Sequence, residues 1–390
     1  MATENNNKTL NVPNLRFPEF SGEWDRIKVS DLLEFYPTNS LSWEQLDYLD
    51  KGVFNLHYGL IHKGLPTQVD VSENSLPTIK EEYIPKKMSL CQRGDVAFAD
   101  ASEDTNDVAK CIEFINCENQ KIVCGLHTIH GRDTQNKTVT GYKGYAFSAR
   151  AFRDQIRRLA QGTKVYSISS GNFSECYIGI PSKAEQSRIA NLLLAVDQRI
   201  AAQIKIIEKL ESLIKGLCQK LTQQDNPNTA LNEALVCYLS TLQESSVQEA
   251  GDYPVYGATG VCGYTDAPEV DGDSILIIKD GASVGVTYYA SGKYSAIGTL
   301  NRLVAKSGYS LRYLYYCLKV FNFAPYRAGL AIPHIYFRDY GKAKVWCPSL
   351  DEQQCIADAL SKVEQKIAIE KSLLERLYSQ KRFLLQAMFI

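Results

Sequence analysis

Apolar residues recur with a 4-3 spacing in two stretches of this chain. One runs Ile189, Leu193, Val196, Ile200, then Ile207, Leu210, Ile214, Leu217 and Leu221. The other runs Ile356, Leu360, Val363, Ile367, then Leu374, Leu377, Leu384 and Met388. A sustained seven-residue period keeps one apolar stripe on a helix and marks a coiled-coil seam. About 37 residues at roughly 1.5 Å rise per residue predict a rod of about 55 Å for each. Both seams are interrupted at one equivalent place, by Gln203 and by Glu370. If the helices pair antiparallel, these two side chains lie near each other at the centre. A polar layer there fixes helix-helix register at some cost in stability; snorkelling of both side chains to water is the alternative.

The two runs are copies. Pro181-Ser182-Lys183-Ala184-Glu185-Gln186 returns as Pro348-Ser349-Leu350-Asp351-Glu352-Gln353, 167 residues later, and the match continues without a gap. Ile189, Leu193, Val196 and Ile200 fall on Ile356, Leu360, Val363 and Ile367, and Asp197 falls on Glu364. Ser182 and Ser349 are candidate N-caps. Glu185 and Glu352, three residues on, predict a capping box in which hydroxyl and carboxylate satisfy backbone donors reciprocally. The prolines before each cap sharpen the helix boundary.

The stretches between the helices have no heptads. Strand-like runs occur at Val96-Ala97-Phe98, Lys121-Ile122-Val123, Ser274-Ile275-Leu276-Ile277-Ile278 and Gly285-Val286-Thr287-Tyr288-Tyr289, punctuated by Gly and Asp. One helix is predicted late in each, near 148–160 and 311–320. Arg93-Gly94-Asp95-Val96 and Asp271-Gly272-Asp273-Ser274 open strands in a similar way. The predicted fold is α+β: two mixed α/β globular domains separated by a long antiparallel two-helix coiled coil, in a pseudo-two-fold internal repeat. The boundaries are a flexible N-terminal tail at 1–13, a first domain at 14–178, a first spacer helix at 179–223, a second domain at 224–345 and a second spacer helix at 346–390.

Composition adds limits. With 45% hydrophobic and 22% charged residues in 390, this is ordinary globular usage. No stretch approaches the roughly 18–20 apolar residues of a membrane span. The Asn-rich start has no apolar signal-peptide core, which predicts a cytoplasmic protein without a membrane partner. The eleven cysteines form no CxxC pair and read as reduced thiols. Cys117, Cys124, His127 and His130 come nearest to a metal cluster, but their spacing fits zinc poorly and they read as strand and loop, so no metal is predicted.

The net charge of −1 hides a polarised distribution. Residues 137–164 carry seven Lys or Arg against Asp154, and residues 293–344 carry nine against Asp339. Residues 224–292 carry ten acids and one Lys, Lys279. Tyr142, Tyr145, Phe147 and Phe152 interleave the first basic stretch; Tyr294, Tyr313, Tyr326, Tyr336 and Phe337 interleave the second. Basic surfaces with aromatic residues suit phosphate contact together with base readout. The candidate DNA contacts are Lys143, Arg150 and Lys164 in the first domain, and Lys279, Arg302, Arg327, His334 and Arg338 in the second. For each, a solvated surface charge is the competing reading. Phosphate-loop, dinucleotide-binding, nucleophile-elbow and amino-methyltransferase motifs are absent, so the chain reads as non-catalytic.

Two copies of Pro-Ser-x-x-Glu-Gln-x-x-Ile-Ala, each opening a long heptad helix after a variable domain, resemble the specificity subunit of type I restriction-modification systems. The opening Leu15-Arg16-Phe17-Pro18-Glu19-Phe20-Ser21-Gly22-Glu23-Trp24 is similar to the usual start of such subunits. So are Gly272-Asp273-Ser274-Ile275-Leu276 and Gly329-Leu330-Ala331-Ile332-Pro333-His334-Ile335. The resemblance implies that each domain reads one half of a bipartite target in double-stranded DNA and that the coiled coil sets the half-site spacing. Half-sites one DNA turn apart need roughly 34–36 Å, within reach of such a rod. It further implies two modification (methyltransferase) subunits docked on the helices, and restriction (translocase-nuclease) subunits. S-adenosylmethionine, ATP and Mg then belong to those partners and no cofactor to this chain. One departure is plain: the second domain begins Gln224-Asp225-Asn226-Pro227, with no copy of the Leu-Arg-Phe-Pro opening. A coiled-coil scaffold without DNA, or a specificity fragment of a fused methylase-endonuclease, is the alternative.

Overall fold

A computed structural model describes residues 11–49, 51–73, 75–117, 120–329 and 331–390. Most of the predicted N-terminal tail, residues 1–10, lies outside the described residues, as does Leu330. The chain divides into two compact units, one of Met1–Ala202 with Leu374–Ile390, the other of Gln203–Leu373. Each long helix therefore contributes to both units. Among the described residues, no helix is long and apolar enough to cross a membrane.

The first unit is built on a five-stranded sheet in the order Glu34–Tyr36, Thr128–Arg132, Val96–Ala99, Lys110–Asn116, Gln68–Asp70. Its central strands pair antiparallel, and Gln68–Asp70 joins parallel at the edge. Val96–Ala99 is buried along its whole length, which explains its unbroken apolar reading. Lys121–Cys124 lies in a second sheet, parallel to Val53–Leu56. The helix predicted near 148–160 spans Arg150–Leu159. A separate helix, Tyr142–Ser148, precedes it, and Ala149 is extended between the two.

The second unit carries an antiparallel sheet in the order Leu235–Leu239, Leu300–Ala305, Ser274–Ile278, Thr287–Ala290. Ser274–Ile278 is fully buried. The strand expected from Gly285 starts only at Thr287, because Gly285 sits at φ +91° in the turn and its N–H donates back to the Ile278 carbonyl at 2.8 Å. A second sheet includes Tyr253–Gly257 and Lys293–Ala296 in parallel, and the helix Leu311–Lys319 packs on the first sheet.

The heptad stretches are single helices, Lys183–Thr222 and Leu350–Ala387. Within the second unit Gln203 meets Glu370, while Ile214 and Cys218 share a core with Ile356 and Leu360, so the helices run antiparallel there. Within the first unit Asp197 pairs with Lys381 at 2.6 Å. The last residues of the second helix pack on this unit's domain, where Leu15 N–H donates to the Ala387 carbonyl at 2.8 Å and Phe389 packs edge-on to Trp24.

The start of each helix corrects the predicted capping box. Ser182 Oγ does accept from Glu185 N–H at 3.3 Å, and Ser349 Oγ from Glu352 N–H at 3.4 Å. The glutamates do not complete the box. Glu185 is buried, and its carboxylate takes both arms of the Arg16 guanidinium at 2.7 and 2.8 Å and the Trp24 indole N–H at 3.3 Å. Arg16 and Trp24 both belong to the opening Leu15 to Trp24 segment, of which the second domain has no copy, and Glu352 is correspondingly exposed.

The repeated glutamine does the same work in both copies. Gln186 Nε2 donates to the Pro181 carbonyl at 2.8 Å, and its Oε1 accepts from Val139 N–H at 2.8 Å. Gln353 Nε2 donates to Pro348 at 2.8 Å, and its Oε1 accepts from Ser310 N–H at 2.9 Å. Both side chains are buried. About three turns further along, each helix offers an acid to a tyrosine of its domain. Tyr145 donates to Asp197 at 2.9 Å, and Tyr315 and Tyr316 donate to Glu364 at 3.0 and 2.8 Å.

Leucine fits the volume of Gln353 but leaves the Ser310 N–H and the Pro348 carbonyl without this partner. Gln353→Leu is expected to cost about 1–3 kcal/mol for each group left unsatisfied. Urea unfolding followed by circular dichroism measures this, and an unchanged midpoint would contradict the clamp.

Candidate nucleic-acid interface

In the second unit one loop gathers several of the basic residues. Ala328 and His334 exchange both backbone hydrogen bonds at 2.8 Å, closing a short hairpin. Gly329 stands in it at φ +88°, where a Cβ would come within 2.4 Å of the Ile332 carbonyl oxygen, so glycine is required. The hairpin docks on the end of strand Ser274–Ile278: Ile335 N–H donates to Lys279 O and Gly281 N–H to Pro333 O, both at 2.9 Å. This places the backbone of His334 and Ile335 against Lys279, whose side chain faces Asp280 at 4.0 Å, and leads into Tyr336 and Arg338. The Arg338 guanidinium lies 4.7 Å over the Tyr336 ring, and His334 meets that ring edge-on at 5.1 Å. The Arg338 side chain is 77% exposed, with Asp339 at 3.8 Å. Arg327 is exposed at the loop's start and reaches the Val284 carbonyl at 3.3 Å.

Arg302 lies on the same sheet but outside this loop. It faces Tyr238 across the strand pair and stacks over that half-exposed ring at 4.2 Å. A planar cation on an exposed aromatic face is preorganised for stacking and for bidentate hydrogen bonds.

In the first unit the three predicted residues part company. Lys143 is a correction. It is buried, its Nζ 3.1 Å from the fully buried Glu113 carboxylate and 2.9 Å from Thr138 Oγ1. Burial pushes the Glu113 carboxyl up, against the Lys143 ammonium and N–H donors from Gly144 and Gly141. Lys143 is thus spent inside the domain and offers no charge to an external anion. Arg150 is 59% exposed at the start of its helix. With Arg153, Arg157 and Arg382 it lines a pocket of about 350 Å³, and Asp154 pairs with Arg150 and Arg157. One nitrogen of Arg153, Nη1, is buried with no hydrogen-bond partner among the described residues. Lys164 is exposed in the loop that brings Gln161 to Ser167.

Next to Lys164, Val165 lines a cleft of about 670 Å³ that no sequence motif signals. Trp43, 45% exposed, stacks on His57 at 4.3 Å, and Tyr58 meets His62 and His127 edge-on at 5.8 and 5.3 Å. Burial holds the His57 imidazole below its ordinary pKa, helped by nearby His127. The residues come from separate loops, so no spacing announces them. Arg150, Arg153 and Arg157 do share one helix face, which their i, i+3, i+7 spacing could have revealed.

Comparison with known proteins bears on what these surfaces are for. Residues 238–378 match the family model described as the type I restriction modification DNA specificity domain. That segment of the chain is thus similar to the type I restriction-modification specificity domain. The matched segment holds the Lys279 to Arg338 loop cluster and most of the second long helix. A protein of Haemophilus influenzae named as a putative type I restriction enzyme specificity subunit is 32% identical over 89 residues, covering 22% of this chain. The EcoprrI specificity subunit of Escherichia coli is 26% identical over 117 residues, covering 30% of this chain. These segments span only 23% and 29% of the relatives' own lengths. The fold likeness is broader. The S subunit of a type I system from M. genitalium matches with TM-score 0.60 at 17% identity, over 97% of this chain and 99% of that one. A chain from a structure describing complex assembly and conformational transition of the type I R-M system matches with TM-score 0.58 at 14% identity, over 93% and 96%.

Breaking a buried ion pair by removing one partner costs about 3–5 kcal/mol. Lys143→Met is therefore expected to lower the unfolding midpoint sharply. DNA affinity of the protein that remains folded should be unaltered. A selective loss of DNA affinity at unchanged stability would restore Lys143 to the interface.

Proposed function

We propose that this chain is the sequence-reading subunit of a type I restriction-modification complex, with recognition domains at 14–178 and 224–345. The observation that carries the reading is the exposed Arg338 guanidinium over Tyr336, with His334 of a backbone-closed hairpin edge-on to that ring, within the matched specificity segment. Arginine and lysine pair with guanine edges or phosphates, and an exposed aromatic face accepts a base or sugar. In the first domain the contact surface combines Arg150 and Lys164 with the Trp43 and Tyr58 cleft. Glu103, Asp104 and Asp107 line that cleft as well, so it suits the edge or face of a base better than a bare phosphate. Arg302 and Arg327 extend the second surface.

On this reading each domain reads one half of a bipartite target in double-stranded DNA. The long helices fix the unread spacing and dock two methyltransferase subunits. Methyl transfer, with S-adenosylmethionine, belongs to those subunits; ATP-driven translocation and cleavage, with Mg, belong to restriction subunits. Gln203 and Glu370 set helix register. Both are buried, and Gln203 Nε2 donates to the Glu370 carboxylate and, at 3.2 Å, to its backbone carbonyl. The Lys366 and Gln203 hydrogen bonds hold the Glu370 carboxyl below its usual range.

The test uses the chain assembled with its modification subunits. DNA affinity should fall steeply as salt rises, because counterion release drives it; a flat salt dependence favours a scaffold instead. Arg338→Ala should relax or weaken one half-site only, by about 1–3 kcal/mol at the position read, seen as altered methylated adenines at that half. Equal loss at both halves would argue against the assignment.

The lowered Glu370 pKa carries a sign. Its contribution is fully present above the ordinary glutamate pKa of about 4.3 and is lost as pH falls through the depressed folded value. Gln203→Leu with Glu370→Leu should abolish that part of the acid dependence and permit register slippage, visible as changed cross-linking between the helices. Unchanged register and unchanged assembly would remove the role given to this pair.

A further inference from the structure

Three groups meet inside the first unit, two of them close in sequence and the third, Cys91, 33 residues before Cys124. Cys91 precedes strand Val96–Ala99, Cys124 ends strand Lys121–Cys124, and His130 lies in strand Thr128–Arg132. The Cys91 and Cys124 sulfurs are 3.5 Å apart, and a His130 ring nitrogen and both sulfurs all lie within 4.8 Å of one another. All three residues are buried. The sequence spacing suggests Cys117, Cys124, His127 and His130 as the nearest thing to a cluster. The fold regroups them: His127 turns at φ +55° toward Asp100 and the Tyr58 cleft, and Cys91 takes its place.

The surroundings of His130 are those of a ligand. Its Nε2 is 2.8 Å from Asp95 Oδ2, and Asp95 is gripped by Arg132 through two bonds of 2.7 Å and by the Gln92 N–H at 2.8 Å. With Asp95 paired to Arg132, its carboxylate accepts the ring N–H at Nε2, which leaves the Nδ1 lone pair free. Nδ1 is buried with no hydrogen-bond partner among the described residues. A histidine that donates one nitrogen to a carboxylate and turns the other to a cation is the usual outer arrangement of a bound metal.

We propose that Cys91, Cys124 and His130 Nδ1 bind a thiophilic divalent cation, zinc in the first instance, as a structural site. Cys117 packs against the same apolar cluster but lies outside the three-residue group. Two thiolates on one tetrahedral zinc, with Zn–S bonds of about 2.3 Å, stand roughly 3.8 Å apart, close to the separation found here. A thiol-thiol hydrogen bond accounts for the sulfurs alone and leaves Nδ1 unexplained. Two thiolates and a neutral imidazole balance the charge of the ion. Loading releases one proton per thiolate formed, and affinity must fall as pH falls.

The experiment uses the full chain, any affinity tag removed, prepared without chelator. Elemental analysis should find about one zinc per chain. Exchange of Co²⁺ into the unaltered protein should give a thiolate-to-cobalt charge-transfer band, a readout that needs no variant. Cys124→Ser should lose the band and at least about tenfold in metal affinity, while Cys262→Ser, at an exposed cysteine elsewhere, should keep both. Absence of the charge-transfer band from the folded unaltered chain overturns the proposal. So does zinc retained equally by Cys124→Ser.

Discussion

Everything that distinguishes this architecture depends on how a long helix is fixed to the domain before it, and a buried glutamine does the fixing. Gln186 and Gln353 each hold the carbonyl of the proline five residues back and a backbone N–H of the domain. A side-chain amide is one of the few groups that can donate to one backbone segment and accept from another at the same time. Burial makes the exchange obligatory, because either backbone group left alone would lose its hydrogen bond without gaining water. The helix therefore leaves its domain in one direction. The tyrosine bonds to Asp197 and Glu364 add a second point of attachment further along each helix, so its rotation is fixed as well.

The same attachment shows where the repeat stops. The first unit adds a layer that the second lacks: Arg16 and Trp24 cover Glu185, and the last residues of the second long helix pack on Trp24 and Leu15. The Leu15 to Trp24 segment is thus a partner for Glu185 and for the end of that helix. Its absence before the second domain is matched by an exposed Glu352 rather than by a substitute. The glutamate in the repeated motif is carried in both copies but buried in one.

The helices are legible in the sequence because their information is periodic and local. Heptad spacing, a capping serine and a preceding proline all act within a few residues. Gln203 opposite Glu370 follows from counting along two antiparallel rods, and the pair does meet. The role of Glu185 is not legible, since its partner Arg16 is 169 residues away. The domains reveal less. Val96–Ala99 and Ser274–Ile278 stand out as short β-branched or apolar runs, whereas the late start of Thr287–Ala290 depends on a glycine turn. Lys143 misleads because net charge along a stretch cannot separate a solvated lysine from one neutralised by Glu113 on another strand. The Trp43 cleft and the place of Cys91 beside Cys124 and His130 come from separate segments, and convergence of that kind leaves no spacing to read.

The two kinds of legibility correspond to two kinds of constraint. The helix seam and its clamp must satisfy backbone groups and apolar area that both copies present alike, so the same residues recur after 167 positions. The basic and aromatic surfaces answer instead to whatever they contact. In one unit a hairpin stacks Arg338 and His334 on Tyr336; in the other, Arg150 sits in an arginine pocket and Trp43 borders a histidine-lined cleft. No shared pattern connects these surfaces, although they stand on equivalent clamps. The proposed reading of two different half-sites calls for that combination: contact loops free to diverge, and an attachment that keeps their change from reaching the helix.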